Sequence, residues 1–158
     1  MTRILQPLRR LRRLGTADGQ SLIEAAIITP LLLLLTIGIF EFGSMFYVFL
    51  SLQNGVSQAT RYAITGNTVT GSSRVDSIKL AMRTTTPTLT IPDNAFSFSH
   101  LPKGGSAFVG GPRGPDEVEK VTINYTWTFF TPLMRPFFPS GRMTMTVDST
   151  MKNEPKFQ

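Results

Sequence analysis

The sequence predicts an α+β protein in which a long N-terminal transmembrane helix precedes a small extracytoplasmic domain, with an antiparallel sheet packed on the helix. Three observations predict this arrangement: an apolar stretch long enough to cross a bilayer, a block of arginines before it, and alternating apolar residues from Phe96 onward. We divide the 158 residues into a basic leader (1–19), a transmembrane helix (20–65) and an extracytoplasmic α+β domain (66–158).

The basic residues are concentrated in the leader. Residues 1–19 contain five arginines and one aspartate, whereas residues 20–158 contain 11 basic and 9 acidic side chains. A basic block before an apolar stretch determines membrane topology, because such segments stay in the cytoplasm. The sequence therefore predicts a cytoplasmic N-terminus, a chain that lies outside from about residue 55, and no nucleic-acid partner.

The apolar stretch runs from Leu22 to Leu50 with few polar interruptions. About 20 mostly apolar residues span a bilayer, and this stretch is longer. A cleaved secretory signal is an alternative, but its apolar region is usually about 7–15 residues long. The small-residue cleavage candidate, residues 57–59, also lies too far downstream. Pro30 lacks a backbone donor, so we expect a kink or a flexible first turn there.

Two carboxylates, Glu24 and Glu41, interrupt this apolar stretch. A charge in hydrocarbon costs about 2.5–3.5 kcal/mol on insertion scales, and such residues usually mark a partner or a function. Glu24 lies near the helix start, where the macrodipole favours an anion. Glu41 lies about 26 Å further along a helix. This distance places Glu41 near the outer interface, so we expect it to be solvated.

The residues after the leader carry a family pattern. Gly19 and Gln20 are followed by Ser21-Leu22-Ile23-Glu24 and then by the apolar helix. This resembles the cleavage pattern of type IV prepilins. Further matches, to TadE-like pseudopilins of the tight-adherence (Tad, type IVc) pilus, are Pro30-Leu31-Leu32-Leu33-Leu34, Gly38-Ile39-Phe40-Glu41-Phe42-Gly43, Leu52-Gln53-Asn54 and Ala59-Thr60-Arg61-Tyr62-Ala63.

This resemblance implies that a membrane-embedded prepilin peptidase cuts after Gly19, so that the mature chain begins at Gln20. Major pilins generally begin with an aromatic residue and are very short in this system. A polar Gln20 and a longer mature chain therefore favour a minor pilin or pseudopilin. The membrane-helix residues that we single out are Leu22, Ala25, Pro30, Leu33, Gly38, Glu41, Phe42 and Gly43.

The resemblance also implies a role for Glu24. After cleavage, the new N-terminal amine lies in an apolar setting, where a charge is tolerated only when it is paired. Glu24 of one subunit would neutralise the amine of its neighbour at the assembly interface. Small residues, Gly43 and Ser44 with Ala25 and Ala26, either allow helices to approach closely or have no packing role.

The distal domain is predicted to begin with a second helix. The helical spacing of Leu52, Val56, Ala59 and Ala63 predicts that the long helix continues to about Ala63 with one buried face and ends before Gly66-Asn67. We expect the second helix over residues 72–83, capped by Ser72 or Ser73, with Val75, Ile78 and Met82 on one face. Residues 102–116 form a Gly/Pro-rich loop. Alternation of apolar and polar residues predicts strands after Pro87. The apolar positions of these strands are Phe96, Phe98, Val121, Ile123, Tyr125, Trp127, Phe129, Met143, Met145 and Val147. In the Pro-rich segment 131–141, Phe137 and Phe138 are expected to pack on the sheet.

The sequence offers little catalytic chemistry. It has no cysteine and one histidine, His100, which we expect in a loop. Asp116, Glu117 and Glu119 lack calcium-ligand spacing, so we expect a solvated loop. We therefore expect no enzyme activity, no cofactor and no metal.

The predicted function is that of a minor pilin or pseudopilin held in the bacterial inner membrane and incorporated into a Tad-type adhesive pilus. Its expected partners are prepilin peptidase, other pilin and pseudopilin subunits, the assembly platform in the inner membrane and the lipid bilayer. The alternative is an uncleaved, signal-anchored scaffold of a cell-envelope or secretion complex.

Overall fold

The computed structural model describes residues 16–111 and 117–152, with side chains from residue 19 onward. Most of the predicted leader, residues 112–116 of the predicted loop and residues 153–158 lie outside the described part. The chain forms two units, with the boundary between Phe40 and Glu41. We describe each unit by itself.

The first unit contains the N-terminal part of helix α1, which spans Thr16–Ile64 and includes Pro30. Every residue from 19 to 36 is exposed, although most of them are apolar. In the described part of the chain, one helix is long and apolar enough to cross a membrane, over residues Gly19–Ile64. The exposed apolar helix fits a single-pass membrane protein.

The second unit begins with the remainder of α1, which is amphipathic. Its buried residues recur every three or four positions, as expected for one face of a helix, and are Val48, Leu52, Val56, Ala59 and Ala63. Gly66 has a positive φ of 70° after the last turn, and its N–H donates to the Ala63 carbonyl. This confirms the predicted helix end, since glycine readily adopts the left-handed conformation.

Helix α2 spans Arg74–Thr85, two residues later at each end than predicted. Ser73 is the N-cap, because its side chain accepts a hydrogen bond from the Asp76 N–H at 3.1 Å. Ile78 and Met82 are fully buried, which confirms the predicted apolar face.

The sheet has four antiparallel strands in the order β2-β1-β3-β4. Their bounds are β1, Phe96–Leu101; β2, Val109–Gly110; β3, Val118–Thr128; and β4, Arg142–Lys152. The short β2 lies inside the segment predicted as a loop. It is too short and too glycine-rich to show an alternating pattern in the sequence.

One apolar core joins the sheet, α2 and the C-terminal half of α1. From the sheet it contains Val121, Ile123, Trp127, Phe129, Met145 and Val147, which confirms the period-two pattern. Between α2 and the sheet, Asp93 lies within 3.2 Å of Lys79 and 2.8 Å of Arg83. Hydrogen bonds from Lys79 and then Arg83 lower the pKa of the Asp93 carboxyl.

The predictions for His100 and Phe137 are wrong. His100 lies within β1 and is buried, with its Nδ1 2.8 Å from the Gly111 carbonyl oxygen. A strand beside a short edge strand can bury a histidine once that hydrogen bond is made. Phe137 is 70% exposed, whereas Phe138 stacks on Phe129 at 4.2 Å as expected for a ring packed on the sheet.

Candidate functional site

The predicted processing site lies in the first turns of α1. Gly19, Gln20 and Glu24 are all exposed, and the Gln20 Nε2 donates to the Glu24 Oε1 at 3.2 Å. A Cβ added at Gly19 would meet no atom within 4 Å. The fold of the described chain therefore does not require a glycine at this position. Any need for Gly19 in processing must come from contacts with another molecule.

The predicted membrane-helix residues of the first unit form an exposed apolar surface. Leu22, Ala25, Pro30 and Leu33 are exposed, and Gly38 is half-buried with open space where a Cβ would lie. Monomeric soluble proteins rarely expose contiguous apolar surfaces of this extent. The first unit therefore presents a surface suited to lipid or to neighbouring apolar helices.

Glu41 has an environment different from the one that the sequence predicts. It is only 3% exposed, so the expectation of a solvated side chain is wrong. Its Oε2 accepts a hydrogen bond from the Phe130 N–H at 3.2 Å, and its Oε1 accepts one from the Thr131 N–H. A carboxylate can be buried when both oxygens accept such bonds. Glu41 thus connects α1 to the chain just after β3.

Phe42 takes part in an aromatic cluster beside this carboxylate. Its ring meets Phe129 at 6.2 Å and Phe138 at 6.3 Å, both in edge-to-face geometry. Edge-to-face rings at such separations attract each other. The Arg135 Nε donates to the Phe129 carbonyl at 3.0 Å, which is a further contact that holds the same segment.

A second buried carboxylate was also predicted to be solvated. Glu119 is fully buried in β3, and its Oε2 accepts from Arg74 at 3.1 Å. Arg74 also donates to the Ala63 carbonyl at 2.8 Å. Arg74, the first residue of α2, thus joins the end of α1 to the sheet. Of its predicted acidic neighbours, Asp116 lies outside the described residues.

The structure brings the predicted residues together in two groups. Gly19, Gln20 and Glu24 lie within about one and a half turns of α1, whereas Glu41 and Phe42 meet residues about 90 positions later. The only signal of the second group in the sequence is a carboxylate in an apolar helix. The partners of Glu41 are backbone amides, which carry no side-chain signature.

No metal site is evident in the described ranges 16–111 and 117–152, where no group of three or more histidine, aspartate or glutamate side chains converges. An open groove of about 600 Å³ lies beside the C-terminal turns of α1 and α2. Its lining is mainly apolar and hydroxyl-bearing, with Arg61 as its charged member.

A comparison with known protein families supports the resemblance of the helical segment to TadE-like proteins. Residues 19–61 match the family model described as TadE-like protein, over a little more than a quarter of the chain. Comparison with curated proteins and with solved structures gave no match. The matched segment contains the exposed apolar helix, Glu24 and the buried Glu41. Residues 19–61 are thus similar to TadE-like proteins, which agrees with the resemblance predicted from the residues.

Proposed function

We propose that this chain is a non-enzymatic minor pilin or pseudopilin, processed by prepilin peptidase after Gly19 and incorporated into a Tad-type pilus. The observation that carries the proposal is that the TadE-like segment coincides with an apolar helix that is exposed from residue 19 to residue 36. An exposed apolar helix of this length can be held by a bilayer before assembly and by neighbouring helices in a fibre.

The position of Glu24 supports an assembly role. It lies on the exposed part of α1, one turn from Gln20, so its carboxylate is accessible to a neighbouring subunit. Once the leader is removed, the amine of Gln20 becomes the new positive charge in this apolar region. When that amine pairs with Glu24 of another subunit, neither charge remains isolated in an apolar environment.

The orientation in the proposal follows from charge. The arginines of the leader precede the helix, which favours a cytoplasmic N-terminus and an extracytoplasmic second unit. In this orientation the cleavage site lies on the cytoplasmic side of the bacterial inner membrane, and the sheet domain lies outside it.

The first experiment determines the N-terminus of the membrane-extracted protein by intact mass, with and without co-expressed prepilin peptidase. We expect a chain that begins at Gln20 only when the peptidase is present. A Met1 start despite active peptidase would contradict the proposal and favour the uncleaved, signal-anchored scaffold.

A Gly19→Leu variant provides the matched control. No atom lies within 4 Å of a Cβ at this position, so the substitution should leave helix and domain unchanged. We expect the leader to remain attached while the circular dichroism spectrum matches that of the parent chain. Cleavage of Gly19→Leu at the normal rate would argue against recognition of this glycine by the peptidase.

A further inference from the structure

The segment 129–138, which we name the aromatic loop, combines exposed apolar side chains with a fixed backbone. Phe130 is 66% exposed, Leu133 45% and Phe137 70%. Three contacts hold the backbone beneath them: the Glu41 carboxylate on the Phe130 and Thr131 amides, the Arg135 Nε on the Phe129 carbonyl, and the Phe138 ring on Phe129.

The exposed side chains of the loop therefore do not result from a loosely held chain. Trp127, which is buried in the core, meets the ring of Phe130 at 5.0 Å in edge-to-face geometry. The 3-10 turn Arg135–Phe137 sets the position of Phe137. A rigid backbone that presents apolar side chains to the outside is typical of an interaction surface.

Covalent connection fixes which end of the second unit carries this loop. Glu41, which accepts its hydrogen bonds, directly follows Phe40, the last residue of the first unit, and interrupts the apolar stretch at that point. Phe42, two residues beyond Phe40, packs against Phe129 and Phe138. A helix rises 1.5 Å per residue, so the loop contacts α1 within about 3 Å of Phe40 along the helix axis.

The charges around the loop match a lipid surface. From Phe129 to Val147 the chain contains two basic residues, Arg135 and Arg142, and no acidic residue. Both arginines are exposed. Apolar and aromatic side chains that enter the acyl boundary, flanked by arginines at the level of the phosphates, form the usual pattern of an interfacial segment.

We propose that the aromatic loop inserts Phe130, Leu133 and Phe137 into the headgroup and acyl boundary of the bilayer that α1 crosses. Glu41 serves as the positioning residue, because it fixes the loop to the helix directly after the first unit ends. The second unit then has two attachments to the membrane surface, the helix and the loop. This inference rests on membrane insertion of α1 and does not require incorporation into a pilus.

Site-directed spin labelling tests the proposal on the full chain, because the sequence contains no cysteine. Leu133→Cys and Phe137→Cys variants, each carrying a nitroxide, are reconstituted in nanodiscs of phosphatidylcholine and phosphatidylglycerol. The relaxation of each label is measured with oxygen, which concentrates in lipid, and with a water-soluble nickel chelate. Leu80→Cys is the matched control, since Leu80 is 46% exposed on α2, and Leu33→Cys reports on the apolar stretch.

We expect oxygen to relax the labels at Leu133, Phe137 and Leu33 more than the nickel chelate does, and the reverse at Leu80. Aqueous signals at Leu133 and Phe137 with a lipid signal at Leu33 would overturn the loop insertion while leaving the membrane helix intact. An aqueous signal at Leu33 would overturn both. Dipolar broadening at Leu133 and Phe137 that disappears on dilution with unlabelled protein would show that a second copy covers the loop, which also contradicts the proposal.

A second measurement connects the loop to Glu41. In a Glu41→Ala variant the amides of Phe130 and Thr131 lose their acceptor, so the loop should no longer be held at one depth. We expect the ratio of oxygen to nickel accessibility at Phe137 to fall towards the value at Leu80, with the Leu33 signal unchanged. An unchanged ratio at Phe137 would remove Glu41 from its positioning role.

Discussion

Glu24 and Glu41 lie on the same helix, yet the structure gives their carboxylates opposite environments. Glu24 is exposed and accepts a hydrogen bond from Gln20 one turn earlier, whereas Glu41 is buried and accepts from two backbone amides. The carboxylate of Glu24 remains accessible to other molecules, and that of Glu41 contributes to the fold. We therefore expect different results when Glu24 and Glu41 are each replaced by alanine.

We expect Glu41→Ala to destabilise the second unit. Hydrogen bonds to a charged group contribute about 1.5–3 kcal/mol, and removing the acceptor leaves buried donors unsatisfied. The free energy of unfolding should fall by at least about 1.5 kcal/mol. The near-ultraviolet signal of Trp127 during thermal unfolding in detergent gives the midpoint, and amide exchange at Phe130 and Thr131 locates the effect. Unaltered exchange at both amides would contradict the assigned contacts.

Glu24→Ala should instead leave the fold and the cleavage intact and impair incorporation into the fibre. Breaking a buried charge pair between subunits costs roughly 3–5 kcal/mol, enough to abolish stable assembly. Intact mass reports cleavage, and the amount of this chain in sheared pili reports incorporation. Wild-type amounts of Glu24→Ala in the fibre would rule out the pairing. The thermal midpoint of Glu24→Ala, compared with that of Glu41→Ala, distinguishes an assembly defect from a folding defect.

Within α1, two glycines show how one helix serves both a surface and a core. A Cβ at Gly43 would meet nothing within 4 Å. A Cβ at Gly55 would lie 2.7 Å from Thr86 Cγ2 and 3.2 Å from Met82 Cγ. Gly55 therefore permits the close approach of α2, whereas Gly43 leaves space that the second unit does not fill. The predicted role of Gly43 in helix association stays a prediction.

Alanine at these two glycines should change stability in opposite directions. In a helix interior alanine is favoured over glycine by about 0.8–1 kcal/mol. Gly43→Ala gains this amount without a clash, so its thermal midpoint should rise. At Gly55 the contact with Thr86 opposes the gain, because α2 has to shift, and the midpoint should fall. A rise for both variants would show that α2 tolerates displacement from α1.

At the scale of the whole second unit, Arg74 connects three elements. It joins the Ala63 carbonyl at the end of α1 to Glu119 in β3, and it is itself the first residue of α2. Glu119 is fully buried, so its charge depends on partners inside the protein. A long side chain at the start of α2 thus fixes how the helices lie on the sheet.

We expect Arg74→Met to destabilise the second unit by about 3 kcal/mol. Removing one partner of a buried pair costs about 3–5 kcal/mol, and the lower end applies because Arg74 is 27% exposed. Lys120→Met is the matched control, since its partner Asp148 is 46% exposed rather than fully buried, and the Lys120–Asp148 pair should contribute less than about 1 kcal/mol. Chemical denaturation of both variants compares the two losses. Equal losses would mean that burial of Glu119 does not determine the contribution of the pair.

Periodic patterns predicted most of the fold. The spacing from Leu52 to Ala63 predicted the buried face of α1, and the alternation from Val121 to Phe129 predicted the core face of β3. Such patterns are local, because a helix or a strand repeats its buried positions at a fixed interval. The Gly19-to-Glu24 motif was likewise readable, and the TadE-like match covers it.

The sequence by itself determined the order of the two helices and the longer strands, the apolar part of α1, and the position of the family motif. Only the tertiary structure decided the environments of Glu41, Glu119 and His100, all three predicted to be solvated or in a loop and all three buried. The physical reason is that a polar side chain becomes buried only where distant groups satisfy it. Here those groups are two backbone amides, one arginine and one carbonyl, and local periodicity does not encode them.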